Sequence, residues 1–281
     1  MSTPPRAYRP LTLGRVLVVA ALVVIAAVFF LPLLWMLASS FKSNHDIFAS
    51  PFRLPRHVDL AKWGQAWRDG ELGHYVLNSV IVSGVSVLAV LVLSSMAAFA
   101  FARFRFPGRS LLMAVLGLGL LLPVQSYFIA QSHMFTDLAL TDTRWALIIP
   151  YTAMGLPLAT YLLTAYLSEI PDEIFEAAML EGAGEVRLLL SITVPLLRPG
   201  LAAVGVFTLL STWNEFLLAL LYISDDSLKT IPTGLLAFSS KYITDYSMLF
   251  AALSIITLPL VVIYVVFNRQ IDDSVAAGSL K

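Results

Sequence analysis

A short polar segment in an otherwise apolar chain has the clearest chemical pattern. Its members are a carboxylate, small residues, an isoleucine and a proline at defined spacing, namely Glu176, Ala177, Ala178, Gly182, Ile192 and Pro195. A carboxylate such as Glu176 can form a charge-assisted hydrogen bond with a basic side chain, and adjacent alanines let another backbone approach closely. The chemistry indicated is binding to a protein partner. The alternative is that Glu176 only caps or solvates a surface helix.

A second polar group, Trp213, Asn214 and Glu215, lies inside a long apolar stretch. An ionisable side chain is costly to bury in lipid, so a carboxylate there is a candidate for function. Two roles are open for Glu215. It lines a path for a polar solute, together with Trp213 and Asn214, or it makes a hydrogen bond between helices that holds its own helix in register. For Asn78 and Gln125 the structural role is favoured.

The chain lacks the residues that several kinds of functional site require. Cysteine is absent, which removes disulfides, thiolate nucleophiles and cysteine-ligated metals. The histidines have no metal-ligand spacing: His45, His57, His74 and His133. None of the five lysines follows a glycine, so the chain contains no Gly-x-x-x-x-Gly-Lys-Ser/Thr phosphate loop and should not hydrolyse ATP. The formal net charge is +0 without a long basic run, and no nucleic-acid partner is expected.

The elements that must position these residues are membrane-spanning helices. Hydrophobic residues make up 58% of the chain and the mean hydropathy is +0.83, whereas soluble domains are about 45–50% apolar. Six segments reach the length of about 20 apolar residues that crosses a bilayer as a helix, namely 16–37, 76–101, 111–129, 146–167, 201–221 and 249–267. They lack the alternation of barrel strands. The sequence predicts an all-α polytopic membrane protein with a single domain over residues 1–281.

The positions of basic residues predict the orientation. Three arginines lie in the tight turn between the second and third segments, Arg103, Arg105 and Arg109. Because basic residues concentrate in cytoplasmic loops, six spans then put both termini and the loop at 168–200 in the cytoplasm. The basic residues Arg6 and Arg9 ahead of the first segment also suit a cleaved secretory signal. The 22 residues of 16–37 exceed a signal core of about 7–15 residues, which favours an uncleaved anchor.

The polar segment is predicted to form a helix of about ten residues along the membrane surface. Pro171 suits the first helical position, and Asp172 complements the positive end of the helix. Gly182 can end the helix in a left-handed cap. Residues 186–192 then resume apolar helical character. The whole loop is predicted to be a helix, a turn and a second helix.

This pattern resembles the signature loop of permease subunits in binding-protein-dependent ABC importers. The loop of that family has Glu-Ala-Ala, three residues, Gly, nine residues, Ile, one residue, an apolar residue and Pro, and this chain departs only in having Val194 where Leu is usual. Other segments resemble the carbohydrate branch, specifically the smaller permease of maltose-type importers: 195–201, 212–216, 228–232 and 276–279. The resemblance extends over all six predicted spans.

The resemblance implies a division of labour in the cell inner membrane. The chain would carry a sugar or sugar-like solute into the cytoplasm by alternating access, and its signature loop would dock on a separate ATPase. By carry-over, the docking residues are Glu176, Ala177, Ala178, Gly182, Ile192 and Pro195. The implied partners are a second permease in a heterodimer, a cytoplasmic ATPase dimer, an extracytoplasmic solute-binding protein and membrane lipid. ATP and Mg would bind the ATPase, and this chain would bind no cofactor.

Two other classes of protein remain as alternatives. A secondary transporter of a small polar solute is expected to have several intramembrane carboxylates or a repeat architecture, and Glu215 alone is thin support. A membrane scaffold needs no patterned cytoplasmic loop. At the end of the chain, the match at Ala277-Gly278-Ser279 implies that the tail enters the ATPase dimer interface, although the acidic pair Asp272-Asp273 departs from the family.

Overall fold

The computed structural model describes residues 13–55, 58, 60–241 and 245–278. Within these ranges the chain is helical and contains no β-strand, so the predicted all-α class is confirmed. The helices are α1 (Leu13–Ser39), α2 (Asn44–Ala49), α3 (Ala61–Asp69), α4 (Leu72–Arg103), α5 (Arg109–Leu121), α6 (Phe128–Asp137), α7 (Trp145–Ser168), α8 (Asp172–Leu180), α9 (Glu185–Arg187), α10 (Val194–Leu196), α11 (Arg198–Trp213), α12 (Leu217–Tyr222), α13 (Ile231–Lys241) and α14 (Tyr246–Gly278). Four residues used in the sequence interpretation lie outside the described ranges: Arg6, Arg9, His57 and Ser279.

Four helices of the described chain are long and apolar enough to cross a membrane. They are Leu13–Ser39, Leu72–Arg103, Trp145–Ser168 and Tyr246–Ile263, and they correspond to the predicted spans at 16–37, 76–101, 146–167 and 249–267. A fifth candidate span consists of Glu185–Leu196 and α11, which meet at a bend of 75°. The described residues thus support four to five spans, and the count of six stays a prediction.

The predicted span at 111–129 is interrupted in its second half. Helix α5 ends at Leu121, Leu122 is extended (φ −81°, ψ 115°), and α6 begins only at Phe128. The reason is Pro123, which lacks an N–H and disfavours helical angles at the residue before it. At 13 residues, α5 is about 20 Å long, shorter than a hydrocarbon core of about 30 Å.

The described residues fall into two compact units. The first comprises the described residues within 13–66 and 245–254, and the second comprises 67–241 and 255–278. In the first unit, Asp245 accepts hydrogen bonds from the Met248 N–H (3.0 Å) and the Lys62 Nζ (2.8 Å) at the start of α14. Partial burial raises the pKa of Asp245, but these hydrogen bonds outweigh it and hold the pKa below its usual value.

The core of the second unit is formed by α4, α7 and α11, which pack against one another. Gly155 of α7 lies at a close crossing, because a Cβ there would lie 2.8 Å from Val90 Cγ2 and 3.6 Å from Thr208 Cγ2. Small residues permit such crossings in membranes, where van der Waals packing between helices replaces the hydrophobic effect. Gly155 therefore brings the three helices together.

A polar network joins the starts of α4 and α7 to the segment between α12 and α13. Asn78 is 2% exposed and donates hydrogen bonds to the carbonyls of Ser227 (2.8 Å) and Lys229 (3.0 Å). Its own Oδ1 accepts a hydrogen bond from Arg144 Nη2 at 2.9 Å. These contacts are the structural role that the sequence favours for Asn78.

Candidate functional site

Helix α8 carries the Glu-Ala-Ala sequence and is nine residues long, close to the ten predicted. Pro171 precedes the helix with φ −55° and ψ 136°, so the prediction that it occupies the first helical position is wrong by one residue. The reason is the extended ψ angle of Pro171, which leaves Asp172 and Glu173 to form the acidic first turn. Negative charge at this end stabilises the helix dipole.

Gly182 ends α8 in the left-handed conformation, with φ 83°. The Gly182 N–H donates to the Met179 carbonyl and the Ala183 N–H donates to the Ala178 carbonyl, each at 3.0 Å. This pair of hydrogen bonds is the Schellman cap. Among the residues that the structure describes, a Cβ at Gly182 would meet no heavy atom within 4 Å. Glycine is therefore needed here for the backbone angle and not for space.

The two faces of α8 differ in burial. Phe175 is 1% exposed and belongs to a hydrophobic cluster with Leu163 of α7 and Val204 of α11. Glu176 and Ala177 are exposed, and Ala178 is half-buried. The inner face thus anchors the helix on the core, while the carboxylate and one small residue face outward.

The second half of the loop, which follows Gly184, packs against α8. It runs through α9, a π-helical stretch at Leu188–Thr193 and α10. Pro195 cannot donate to the Ser191 carbonyl as a regular α-helix requires, and π turns occur where such bonding is disturbed. Ile192 is half-buried against the cluster that contains Phe175. Ile192 and Pro195 are half-buried, whereas Glu176 and Ala177 are exposed, and the predicted part of all four in docking stays a prediction.

The loop also exposes large apolar side chains. Leu180 is 90% exposed, Val186 is 71% exposed and Leu190 is 61% exposed. Exposed apolar groups beside charged ones are typical of surfaces that another protein covers. The loop can therefore offer a partner both a carboxylate and apolar contacts.

Glu215 lies in the break between α11 and α12, within the predicted span at 201–221. Its carboxylate accepts hydrogen bonds from the N–H groups of Leu218 (3.0 Å) and Ala219 (3.2 Å), which have no helical partner at the start of α12. The Tyr151 hydroxyl of α7 donates to Glu215 Oε2 at 2.7 Å. The hydrogen bond between helices that was one of the two predicted roles is therefore present.

A cleft between α7 and α11 reaches Glu215, and Tyr151 and Phe207 also line it. The other two predicted path residues lie elsewhere. Trp213 is 5% exposed, and the Asn214 amide donates to the Leu210 carbonyl of its own helix at 2.8 Å. Of the three candidates, the cleft lining includes Glu215 alone.

Residues 90–277 match the family described as binding-protein-dependent transport system inner membrane component. The chain belongs to this family of ABC importer permeases. The predicted resemblance is confirmed, and the alternative of a secondary transporter is set aside. The match covers α5 to α13, the second part of α4 and nearly all of α14, so it includes both the loop and the break at Glu215.

Curated relatives cover nearly the whole permease. The diacetylchitobiose uptake system permease protein NgcG of Streptomyces coelicolor is 37% identical over 264 residues, which are 93% of this chain and 87% of that protein. The trehalose/maltose transport system permease protein MalG of Thermococcus litoralis is 31% identical over 273 residues, 96% and 98% of the two chains.

Solved structures share the fold. A bacterial ABC transporter involved in the import of the acidic polysaccharide alginate contains a chain with a TM-score of 0.79 at 18% identity, and the match covers 93% of the permease and 99% of that chain. A second structure, of an alginate ABC transporter with a pentasaccharide-bound periplasmic protein, has a TM-score of 0.63 at 14% identity over 92% and 94% of the two chains. At these identities the likeness concerns the fold.

The sequence interpretation missed the neighbours of the key residues in the permease. Arg103 served only to predict orientation, yet it contacts Asp172 and Phe175 of α8. Tyr151, which donates a hydrogen bond to Glu215, has no role in the sequence interpretation. The spacing of Asp172 and Phe175 indicates that both lie on one helix face. That this face meets the end of α4 is a property of the tertiary structure.

Proposed function

We propose that this permease moves a sugar or sugar-like solute into the cytoplasm by alternating access, driven by a separate ATPase that docks on the loop at 168–200. One observation carries the docking: Glu176 and Ala177 face outward on a helix whose other face is anchored by Phe175. Relatives named for diacetylchitobiose and for trehalose and maltose support the carbohydrate class. ATP and Mg bind the ATPase, and this chain binds no cofactor.

The complete importer has three further kinds of subunit. A second permease forms a heterodimer with this one, two ATPase subunits dock from the cytoplasm, and a solute-binding protein delivers the solute from outside. The family description, which makes transport dependent on a binding protein, supports the last of these. Membrane lipid surrounds the spans, and the tail that contains Ala277-Gly278-Ser279 reaches the ATPase dimer.

We propose six spans with both termini in the cytoplasm, and contacts at the two ends of the core support the choice of which end faces the cytoplasm. Arg103 pairs with Asp172, so the basic turn after α4 and the loop share one end. Asn78 and Arg144 meet at the starts of α4 and α7, which is the opposite end. Basic residues favour the cytoplasm, and Glu176 accordingly faces the ATPase.

Charge reversal at Glu176 tests the docking. In the purified importer, we expect Glu176→Lys to lose the ATPase because a basic partner group would be repelled. Glu169→Lys is the matched control, since Glu169 is also exposed but lies outside α8. Retention of the ATPase and normal uptake in Glu176→Lys would refute the docking role. The sugars that stimulate ATP hydrolysis by the full assembly identify the solute.

Single-cysteine labelling tests the topology. Because the chain has no native cysteine, only the introduced thiol can react. A membrane-impermeant thiol reagent applied outside intact cells should label Ser224→Cys and leave Glu176→Cys unlabelled until the membrane is opened. Both positions are exposed in the structure. Labelling of position 176 from outside would overturn the orientation and the docking together.

A further inference from the structure

The last residue of α4 contacts α8 through two interactions at once. The Arg103 guanidinium forms an ion pair with the Asp172 carboxylate. The same group lies over the Phe175 ring, with its Cζ 3.8 Å from the ring centroid. The Arg103 side chain is 16% exposed and that of Asp172 is 77% exposed, so water screens the ion pair, whereas the contact with the buried Phe175 ring is shielded.

Of the two α8 residues in these contacts, Asp172 is exposed and Phe175 is buried. Asp172 and Phe175 are three residues apart and therefore lie on the same side of the helix. Glu176, four residues after Asp172, and Ala177 are exposed. Arg103 thus holds α8 from the core side, while the residues proposed to dock remain open to a partner.

We propose that Arg103 is a positioning residue that transmits movement of α8 to α4. This inference rests on the proposed docking function. Helix α4 packs along α7 and α11, so a displacement of α8 that reaches Arg103 acts directly on the centre of the core. Without Arg103, α8 remains attached through residues 169–171 and through Phe175, whose hydrophobic cluster includes Ala98 of α4, but it loses its polar connection to the end of α4 and its movement is coupled to α4 more weakly.

The side-chain chemistry explains why arginine suits this position. A planar guanidinium can pair with a carboxylate and stack on an aromatic ring at the same time. Lysine keeps the charge but presents a compact ammonium group that cannot do both. Arg103→Lys should therefore couple movement less well than arginine and better than alanine. Arg105, which is exposed in the same turn, provides a matched control.

The test uses the complete importer in lipid vesicles, with ATPase content, ATP hydrolysis and solute uptake measured for each variant. We expect Arg103→Ala to retain the ATPase and hydrolyse ATP within about twofold of wild type, while uptake per ATP falls about tenfold. Arg103→Lys should be intermediate and Arg105→Ala unchanged. Adding Asp172→Ala to Arg103→Ala should cause little further loss, because both changes remove the same contact.

Three results would overturn the proposal. Unchanged uptake per ATP in Arg103→Ala would show that coupling does not require the contact between Arg103 and α8. A loss of uptake per ATP in Arg105→Ala equal to that in Arg103→Ala would show that the effect comes from the positive charge of the turn. Loss of the ATPase from Arg103→Ala would make Arg103 part of docking itself. If Arg103→Ala does not assemble, Arg103→Lys decides, since normal uptake per ATP in it contradicts the stacking role. Failure of the proposed docking function can be distinguished from failure of the Arg103 proposal, because in the first case the wild-type permease would purify without an ATPase.

Discussion

Tyr151 and Glu215 are joined by a hydrogen bond of 2.7 Å that links α7 to the break between α11 and α12. The same carboxylate accepts hydrogen bonds from the N–H groups of Leu218 and Ala219. One side chain therefore satisfies a hydroxyl and two backbone donors at the break between two helices. The cleft that Tyr151 and Glu215 share makes a second role in the solute path testable.

Glu215→Ala should lower the thermal stability of the importer. It leaves the Tyr151 hydroxyl and two backbone donors without their acceptor, at a cost of about 1–3 kcal/mol for each buried group left unpaired. Glu215→Gln keeps one acceptor oxygen and should be milder. The melting temperature of the purified assembly measures the effect. Asn214→Ala is the control, because that amide bonds within its own helix.

Uptake by Glu215→Gln separates the two roles of this residue. A variant with near-normal melting temperature but strongly reduced uptake would indicate contact with the solute. If both properties are normal, the carboxylate is only structural and the path role is refuted. Tyr151→Phe should lose the one hydrogen bond to Glu215 and melt slightly below wild type.

Gly182→Val should uncouple transport from ATP hydrolysis while leaving membrane insertion intact. At φ 83° a residue with a side chain pays about 1 kcal/mol or more, so relief of this strain changes the direction of the second half of the loop. Gly184→Val is the matched control, because Gly184 has φ −75°. Neither Cβ would meet a described atom within 4 Å. Normal uptake per ATP in Gly182→Val would contradict the role of the cap.

Gly155→Ala should destabilise the core of the second unit, since its Cβ would lie 2.8 Å from Val90 Cγ2. Overpacking of this kind costs about 1–3 kcal/mol, visible as a lower melting temperature. Val90→Ala in the same chain should recover part of the loss by making room. Gly84→Ala in α4 has open space around its Cβ and should be neutral. Wild-type stability of Gly155→Ala would show that the helices do not cross this closely.

Asn78→Asp should loosen the segment between α12 and α13. A carboxylate can accept from Arg144 but cannot donate to the carbonyls of Ser227 and Lys229, which would lose their partners at about 1–3 kcal/mol each. Protease applied from outside should cleave this segment faster than in wild type. His74→Ala, at an exposed position of the same helix, should leave the cleavage rate unchanged. Equal rates in Asn78→Asp would mean that other contacts hold the segment.

Local features of the fold were predictable because they depend on neighbours along the chain. Hydropathy indicated the apolar helices, and the acidic start and glycine end of α8 follow from helix capping. The break at Pro123 was missed because a window of apolar residues conceals a single proline, which membrane helices tolerate in other places. Pro150 and Pro157, for example, lie inside α7 without interrupting it.

By itself, the sequence determined the all-helical membrane class, the family signature at Glu176 and the need for glycine at position 182. Only the tertiary structure decided which side chains meet. Arg103 reaches Asp172 across 69 residues, and Tyr151 reaches Glu215 across 64. Hydropathy and capping act within a few residues, whereas these contacts exist only because packed helices bring distant segments together.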